Sequence, residues 1–155
     1  MLLHNVSETE KLAEIIGKAA QPGDVLVLTG DLGAGKTTLT KGIAKGLGIT
    51  QMIKSPTYTI IREYTAGRLP LYHMDIYRVE YGAADLCLDE YFEGDGLSVV
   101  EWGNLLADSL PEDYLELTLE KDEQDPERRS VTLQAFGAQG SAFEKRILAD
   151  WTAAS

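Results

Sequence analysis

Eight consecutive residues, Gly30-Asp31-Leu32-Gly33-Ala34-Gly35-Lys36-Thr37, constrain this chain more than any other stretch. They satisfy the spacing G-x-x-x-x-G-K-[ST], a P-loop, in which each fixed position has a physical task. The glycines let backbone N–H groups turn inward on phosphate oxygens, where a side chain would block the approach. Asp31 is accommodated because its position is variable. A helix starting near Lys36 aims its unpaired N–H groups and the positive end of its dipole at the same oxygens. Lys36 is expected to reach the β- and γ-phosphates of a nucleotide, and Thr37 to place its hydroxyl on Mg²⁺. At ~7% glycine usage, the two fixed glycines coincide by chance at about 0.5% of positions. The Lys-Thr requirement cuts this further, so a phosphate cradle is a better reading than an ordinary Gly-rich turn. No N-K-x-D guanine-reading motif occurs, which favours ATP over GTP.

The flanking pattern agrees with the cradle. Residues 24–29 form a short apolar run rich in β-branched side chains, as a fully buried parallel strand should. Residues 36–47 have helix-compatible apolar spacing and close at Gly48. Upstream, Ser7 and Glu10 stand at capping-box spacing before Leu12, Ile15, Ile16 and Ala19, predicting an N-terminal helix that Gln21-Pro22-Gly23 breaks. Downstream, 58–64 and 69–75 read as strands joined by a hairpin turn over 65–68, and 81–92 as a short helix. A buried strand over 97–100 ends on Glu101. Strands over 114–120 and 130–136 then enclose a charged loop, 121–129, expected to be mobile. Phe143, Ile147, Leu148 and Trp151 share one face of a last helix and are expected in the core. The expected class is an α/β fold of P-loop NTPase type, with a mostly parallel sheet flanked by helices and additional antiparallel strands.

With 155 residues the chain has room for one core, so residues 1–155 are read as a single domain. Its balance of 14 basic to 25 acidic side chains gives a net charge of −11, which repels a phosphate backbone and disfavours direct, tight nucleic-acid binding. No apolar run is long enough to span a bilayer, and the opening Met1-Leu2-Leu3-His4-Asn5 lacks the pattern of a secretory signal; a cytoplasmic location is the default expectation. Cys87 stands alone, so it has no disulfide partner and no companion zinc ligands, and is read as a buried small apolar residue.

A P-loop also needs a carboxylate at the end of a neighbouring buried strand to hold magnesium. Glu101 and Asp75 both end predicted strands, and spacing does not rank them. Ser55-Pro56-Thr57-Tyr58 follows the P-loop helix, where switch proteins carry a segment that orders on the γ-phosphate. On sequence alone it reads rather as a strand-initiating turn, since Pro56 biases Ser55 toward extended geometry and Ser and Thr are common there. In the functional reading Thr57 senses the γ-phosphate or its magnesium. His73 has no triad partner near it in sequence and is read as a packing or hydrogen-bonding residue.

Four segments in this order, Gly30 to Thr38, Ser55-Pro56-Thr57-Tyr58, His73-Met74-Asp75-Ile76-Tyr77-Arg78 and Val100-Glu101-Trp102, resemble the TsaE (YjeE) family, the P-loop ATPases of tRNA threonylcarbamoyladenosine biosynthesis. The resemblance implies an ATP- and Mg²⁺-dependent ATPase whose nucleotide contacts fall on Gly33, Ala34, Gly35, Lys36, Thr37 and Thr38. It implies Glu101 as the magnesium carboxylate beside Thr37. It places Asp75 near the γ-phosphate, acting on water, in a catalytic set with Lys36 and Thr57. It suggests Thr9 and Arg129 beside the adenine or ribose. It implies, too, that the chain acts with TsaB and TsaD, which modify tRNAs reading codons that begin with A. Such a subunit is a slow ATPase alone, and meets tRNA only indirectly. The rival expectation is a P-loop kinase for a small metabolite, with Arg128-Arg129 in a phosphate-closing lid; Asp125-Pro126 suits a loop instead.

Overall fold

The computed structural model describes residues 1–30, 35–50, 61–75, 89–101 and 110–154. The expectations for Asp31, Gly33, Ala34, Ser55 to Tyr58, Cys87 and Trp102 fall outside these residues, as do 58–60 of the strand predicted from 58 and 81–88 of the helix predicted from 81.

Strand β2, Val25–Gly30, is buried from Val25 through Leu28 because both its edges and both its faces are covered. It lies between β5 (Leu97–Glu101) and β6 (Tyr114–Lys121), parallel to each. Beyond β5 comes β4 (Leu71–Asp75), also parallel. Antiparallel strands close both flanks. β3 (Ile61–Tyr64) pairs with β4, while β7 (Arg129–Phe136) pairs with β6 and β1 (Leu2–Leu3) with β7. Among the described residues the sheet is seven-stranded, in the order β1-β7-β6-β2-β5-β4-β3. This is the expected mixed α/β architecture, with the chain crossing β2 between β5 and β6. Such a crossing opens a crevice at the carboxyl ends of the parallel strands.

Helices α1 (Val6–Ala19), α2 (Lys36–Gly46) and α4 (Gly137–Ala154) pack on one face, over Leu26, Leu28, Leu71, Leu97, Val99, Leu115 and Leu117. The other face buries Val25, Val27, Met74 and Val100 with Phe92 of the short helix α3 (Asp89–Phe92). The period-2 alternation of β6, with Leu115, Leu117 and Leu119 inward and Glu116, Thr118 and Glu120 on the other side, follows from one covered face.

Several expectations need correction in detail. The N-cap of α1 is Asn5, not Ser7: the Asn5 side chain accepts from Glu8 N, and Glu8 reaches back to accept from His4 N at 2.8 Å. The capping logic is therefore present, shifted by two residues, because an Asx side chain serves as well as a hydroxyl. Leu148 is 39% exposed, while Phe143 and Ile147 are buried, so the apolar stripe of α4 is narrower than its sequence spacing. Trp151 packs at the edge of that core, with the Lys11 ammonium 5.7 Å from its ring centroid. The charged loop is shorter than expected, since Lys121 and Arg129 pair with each other across the ladder. It is also internally bonded: the Asp122 carboxylate accepts from Gln124 N and Asp125 N, and Arg128 pairs with it at 3.5 Å. Those bonds hold the Asp122 carboxyl below its usual range, the backbone N–H of Gln124 first among them.

Candidate nucleotide site

The cradle begins where β2 ends. Gly30 has φ 140, and a Cβ built there would lie 2.1 Å from the Leu119 carbonyl oxygen on β6. This first glycine is thus required by close approach of a neighbouring strand, a reason beyond room for phosphate. Gly35, at φ 109, caps α2 in a left-handed conformation that L side chains rarely adopt. It brings no capping side chain, and the first turn of α2 carries no acidic residue, so no side chain of that turn offsets the positive end of the helix. Lys36 is buried and folds back so that Nζ donates to Gly30 O at 3.1 Å, across the base of the loop. Thr37 is half-buried and Thr38 exposed. Thr40 Oγ donates to Lys36 O at 2.9 Å, fastening the first turn.

Glu101 ends β5 beside Leu28, two residues before Gly30, and it lies opposite Asp75 in the β4–β5 register. Both predicted carboxylate positions therefore fall at the carboxyl end of the sheet, on strands next to each other. Glu101 is buried at 6% exposure and shares the α2 face with Leu28 and Val99. Its Oε2 is 2.5 Å from His73 Nε2, with the imidazole fully buried. His73 is thus a hydrogen-bonding residue, as read from its sequence, but its partner was not foreseen. Parallel register was the missing signal, since it sets Glu101 diagonally next to His73 on one face.

Thr9 and Arg129, far apart in sequence, meet at a depression of about 60 Å³ that Gly35 and Thr38 also line. Val6 and Glu127 complete it, and neither was singled out by sequence. Arg129 is steadied by donating to Pro126 O and Arg128 O at 2.7 and 2.8 Å, and its strand is bound to the chain start, where the Met1 ammonium donates to Val131 O. A cavity of about 360 Å³ adjoins Thr38 between α1 and α2, lined by Glu10, Glu14, Lys41 and Lys45. The larger cavity of about 660 Å³, between Gly23, Phe92 and Asp113, contains none of the predicted site residues. It opens at the amino end of β2, away from the loop.

The family model for threonylcarbamoyl adenosine biosynthesis protein TsaE matches residues 3–131. This chain belongs to the TsaE family. It is 52% identical over 133 residues to the tRNA threonylcarbamoyladenosine biosynthesis protein TsaE of Bacillus subtilis, covering 86% of this chain and 83% of that protein. With the TsaE of Nostoc it is 39% identical over 137 residues, covering 85% and 84%. The crystal structure of YdiB from Bacillus subtilis superposes with a TM-score of 0.85 at 43% identity, over 97% of this chain and 93% of that one. TsaE proteins belong to tRNA threonylcarbamoyladenosine biosynthesis. Among the described residues, no helix is long and apolar enough to cross a membrane.

Proposed function

We propose that this chain is the ATP-binding, Mg²⁺-dependent ATPase component of the machinery that forms threonylcarbamoyladenosine in tRNAs reading codons that begin with A, acting in the cytoplasm with TsaB and TsaD. The observation that carries the reading is the meeting of three features at one end of the sheet: a helix whose first turn holds no acidic residue, a buried lysine at the loop's base, and a buried carboxylate on the adjacent strand. Residues 1–155 act as one domain in this reading.

Lys36 exchanges its bond to Gly30 O for the β- and γ-phosphate oxygens, offsetting their charge. Backbone N–H groups at the start of α2 receive the same oxygens without a side chain in the way. The Thr37 hydroxyl and the Glu101 carboxylate are oxygen donors, the ligand type that suits Mg²⁺, which supplies charge neutralisation across the phosphates when bound. Asp75, at the carboxyl end of β4, is assigned to orient the attacking water, and Thr57 to sense the γ-phosphate. Gly33, Ala34, Gly35 and Thr38 complete the phosphate contacts, while Thr9 and Arg129 flank the base or ribose.

The net charge of −11 supports contact with tRNA through partner proteins rather than directly. The kinase alternative finds less support, because Arg129 lies in β7 and Arg128 in the turn before it, with no flanking helix among residues 121–136. ATP turnover measured alone and with purified TsaB and TsaD tests the proposal. Slow hydrolysis alone, stimulated by the partners and abolished in Lys36→Ala and Thr37→Ala, is expected. Undiminished turnover in both variants would overturn the phosphate assignment, and no association with the partners would overturn the complex.

A further inference from the structure

We infer that His73 is the positioning residue for the magnesium carboxylate: its ring Nε2–H holds Glu101 in the orientation that binds metal at the nucleotide. The inference rests on the magnesium role proposed for Glu101. A carboxylate able to bind metal presents only acceptors, so the 2.5 Å contact is a donation from His73 Nε2 to Glu101 Oε2. The imidazole is fully buried on β4, two residues before Asp75, on the sheet face that also carries Leu71 and Val99. Such a ring has little freedom to turn, whereas an unheld glutamate on a strand end has three side-chain torsions to explore. The hydrogen bond transfers the rigidity of the sheet to the carboxylate.

The pair is poorly explained as a stability device. Nδ1 of the same ring is buried with no hydrogen-bond partner among the described residues, which leave the imidazole half satisfied. A buried polar pair often contributes no more to stability than apolar residues of similar volume, and an orphaned ring nitrogen adds a penalty. A histidine kept on those terms, bonded to a buried carboxylate that ends the strand beside β2, matches the outer-shell partners that orient metal ligands elsewhere.

The test uses the full chain with AMPPNP and follows Mn²⁺ binding by electron paramagnetic resonance, with nucleotide affinity in EDTA measured separately. His73→Leu removes the donor, whereas His73→Gln keeps an N–H at similar reach. Expected for His73→Leu is Mn²⁺ affinity weakened about 10–100-fold with metal-free nucleotide affinity unchanged, and for His73→Gln a substantial rescue. A purely structural histidine would instead lower the melting temperature in both variants without separating their metal affinities, and that result overturns the inference. Glu101→Gln distinguishes the two levels. If it loses Mn²⁺ while His73→Leu does not, only the positioning role fails; if it keeps Mn²⁺, the metal reading of Glu101 fails as well. Should His73→Leu not fold, nitrogen-15 histidine spectra of the wild-type protein decide. A slowly exchanging Nε2 proton that shifts when Mg²⁺ joins the AMPPNP complex supports the inference, and a resonance indifferent to Mg²⁺ overturns it.

Discussion

Substituting Gly17 by alanine tests what sets the spacing between the helix bearing Thr9 and the helix bearing Lys36. A Cβ built on Gly17 of α1 would lie 2.2 Å from the Ile43 carbonyl oxygen and 2.9 Å from Gly46 Cα, both backbone atoms of α2. Reciprocally, a Cβ on Gly46 would meet Glu14 O at 2.2 Å. Ordinary carbon–oxygen contacts sit near ~3.3 Å, so the helices would have to part by about 1 Å. Two effects of opposite sign compete. Alanine favours a helix interior over glycine by ~0.8–1.0 kcal/mol. Overpacking costs about 1–3 kcal/mol, and here the obstructing atoms are backbone on both sides and cannot rotate away, which selects the upper end. The net is a loss of about 2 kcal/mol, or ~4–8 °C in Tm for a chain of this size. Thermal and urea unfolding followed by circular dichroism, beside an exposed control such as Lys18→Ala, measures it. Because α1 and α2 carry Thr9 and Thr38 on opposite sides of one depression, fluorescent ATP should also bind more weakly. A Gly17→Ala protein that melts at or above wild type would refute the reasoning, since helix propensity would then outweigh the backbone contact.

Arg68 Nη2 donates to the carbonyls of Gly17, Lys18 and Ala20 at 2.7, 3.1 and 3.0 Å, closing the carboxyl end of α1; Arg68→Ala should cost about 1–2 kcal/mol in chemical denaturation. Phe143 is 1% exposed in the α1–α4 core, and Phe143→Ala should cost about 3–5 kcal/mol, read by the same method. Glu8 has its carboxyl held below the usual glutamate range, first by the His4 backbone N–H and then by the His4 ring. A depressed folded value means its contribution is present above the unfolded pKa and fades as pH falls through the folded one. A carbon-13 titration of the Glu8 carboxyl should therefore show a midpoint below the ordinary one, returning toward it in His4→Ala. Arg129→Ala should weaken ATP binding while leaving Mn²⁺ affinity of the remaining complex near wild type, checked by fluorescence titration and paramagnetic resonance.

Much of the parallel core was legible because its residues are chosen by burial. The run Val25 to Leu28 is apolar without alternation since β2 is covered on both faces, and that same property marks it in sequence. Residues decided by local competition were harder to place. Asn5 and Ser7 both suit an N-cap, and only the reach of Glu8 back to His4 N selects Asn5. Asp24 reads as the first residue of a strand, yet its carboxylate accepts from Gln21 N at 2.8 Å and pairs with Arg146 of α4. That pairing joins residues far apart in the chain, and no periodicity carries it. Leu148 shares the spacing of Phe143 and Ile147 but is 39% exposed, so helical pattern alone overstates the buried stripe.

The candidate site divides along the same line. Gly30, Gly35, Lys36 and Thr37 are contiguous or nearly so, and their chemistry follows from a loop that any chain with this spacing can form. Thr9 with Arg129, and His73 with Glu101, depend on strand order and register. Glu101 and Asp75 cannot be separated by spacing because β4 and β5 run parallel in register, so both end at the same level and face each other across the ladder. What differs between two strand ends of equal rank is what stands beside each. For Glu101 that is β2 on one edge and a buried imidazole diagonally across the other, an arrangement that exists only once the chain has passed from β4 to β5 and returned to flank the P-loop strand. Under the magnesium role proposed for Glu101, the choice between the two carboxylates is a property of topology, and changing His73 rather than Glu101 tests it: the carboxylate stays, and only its hydrogen bond to β4 is lost.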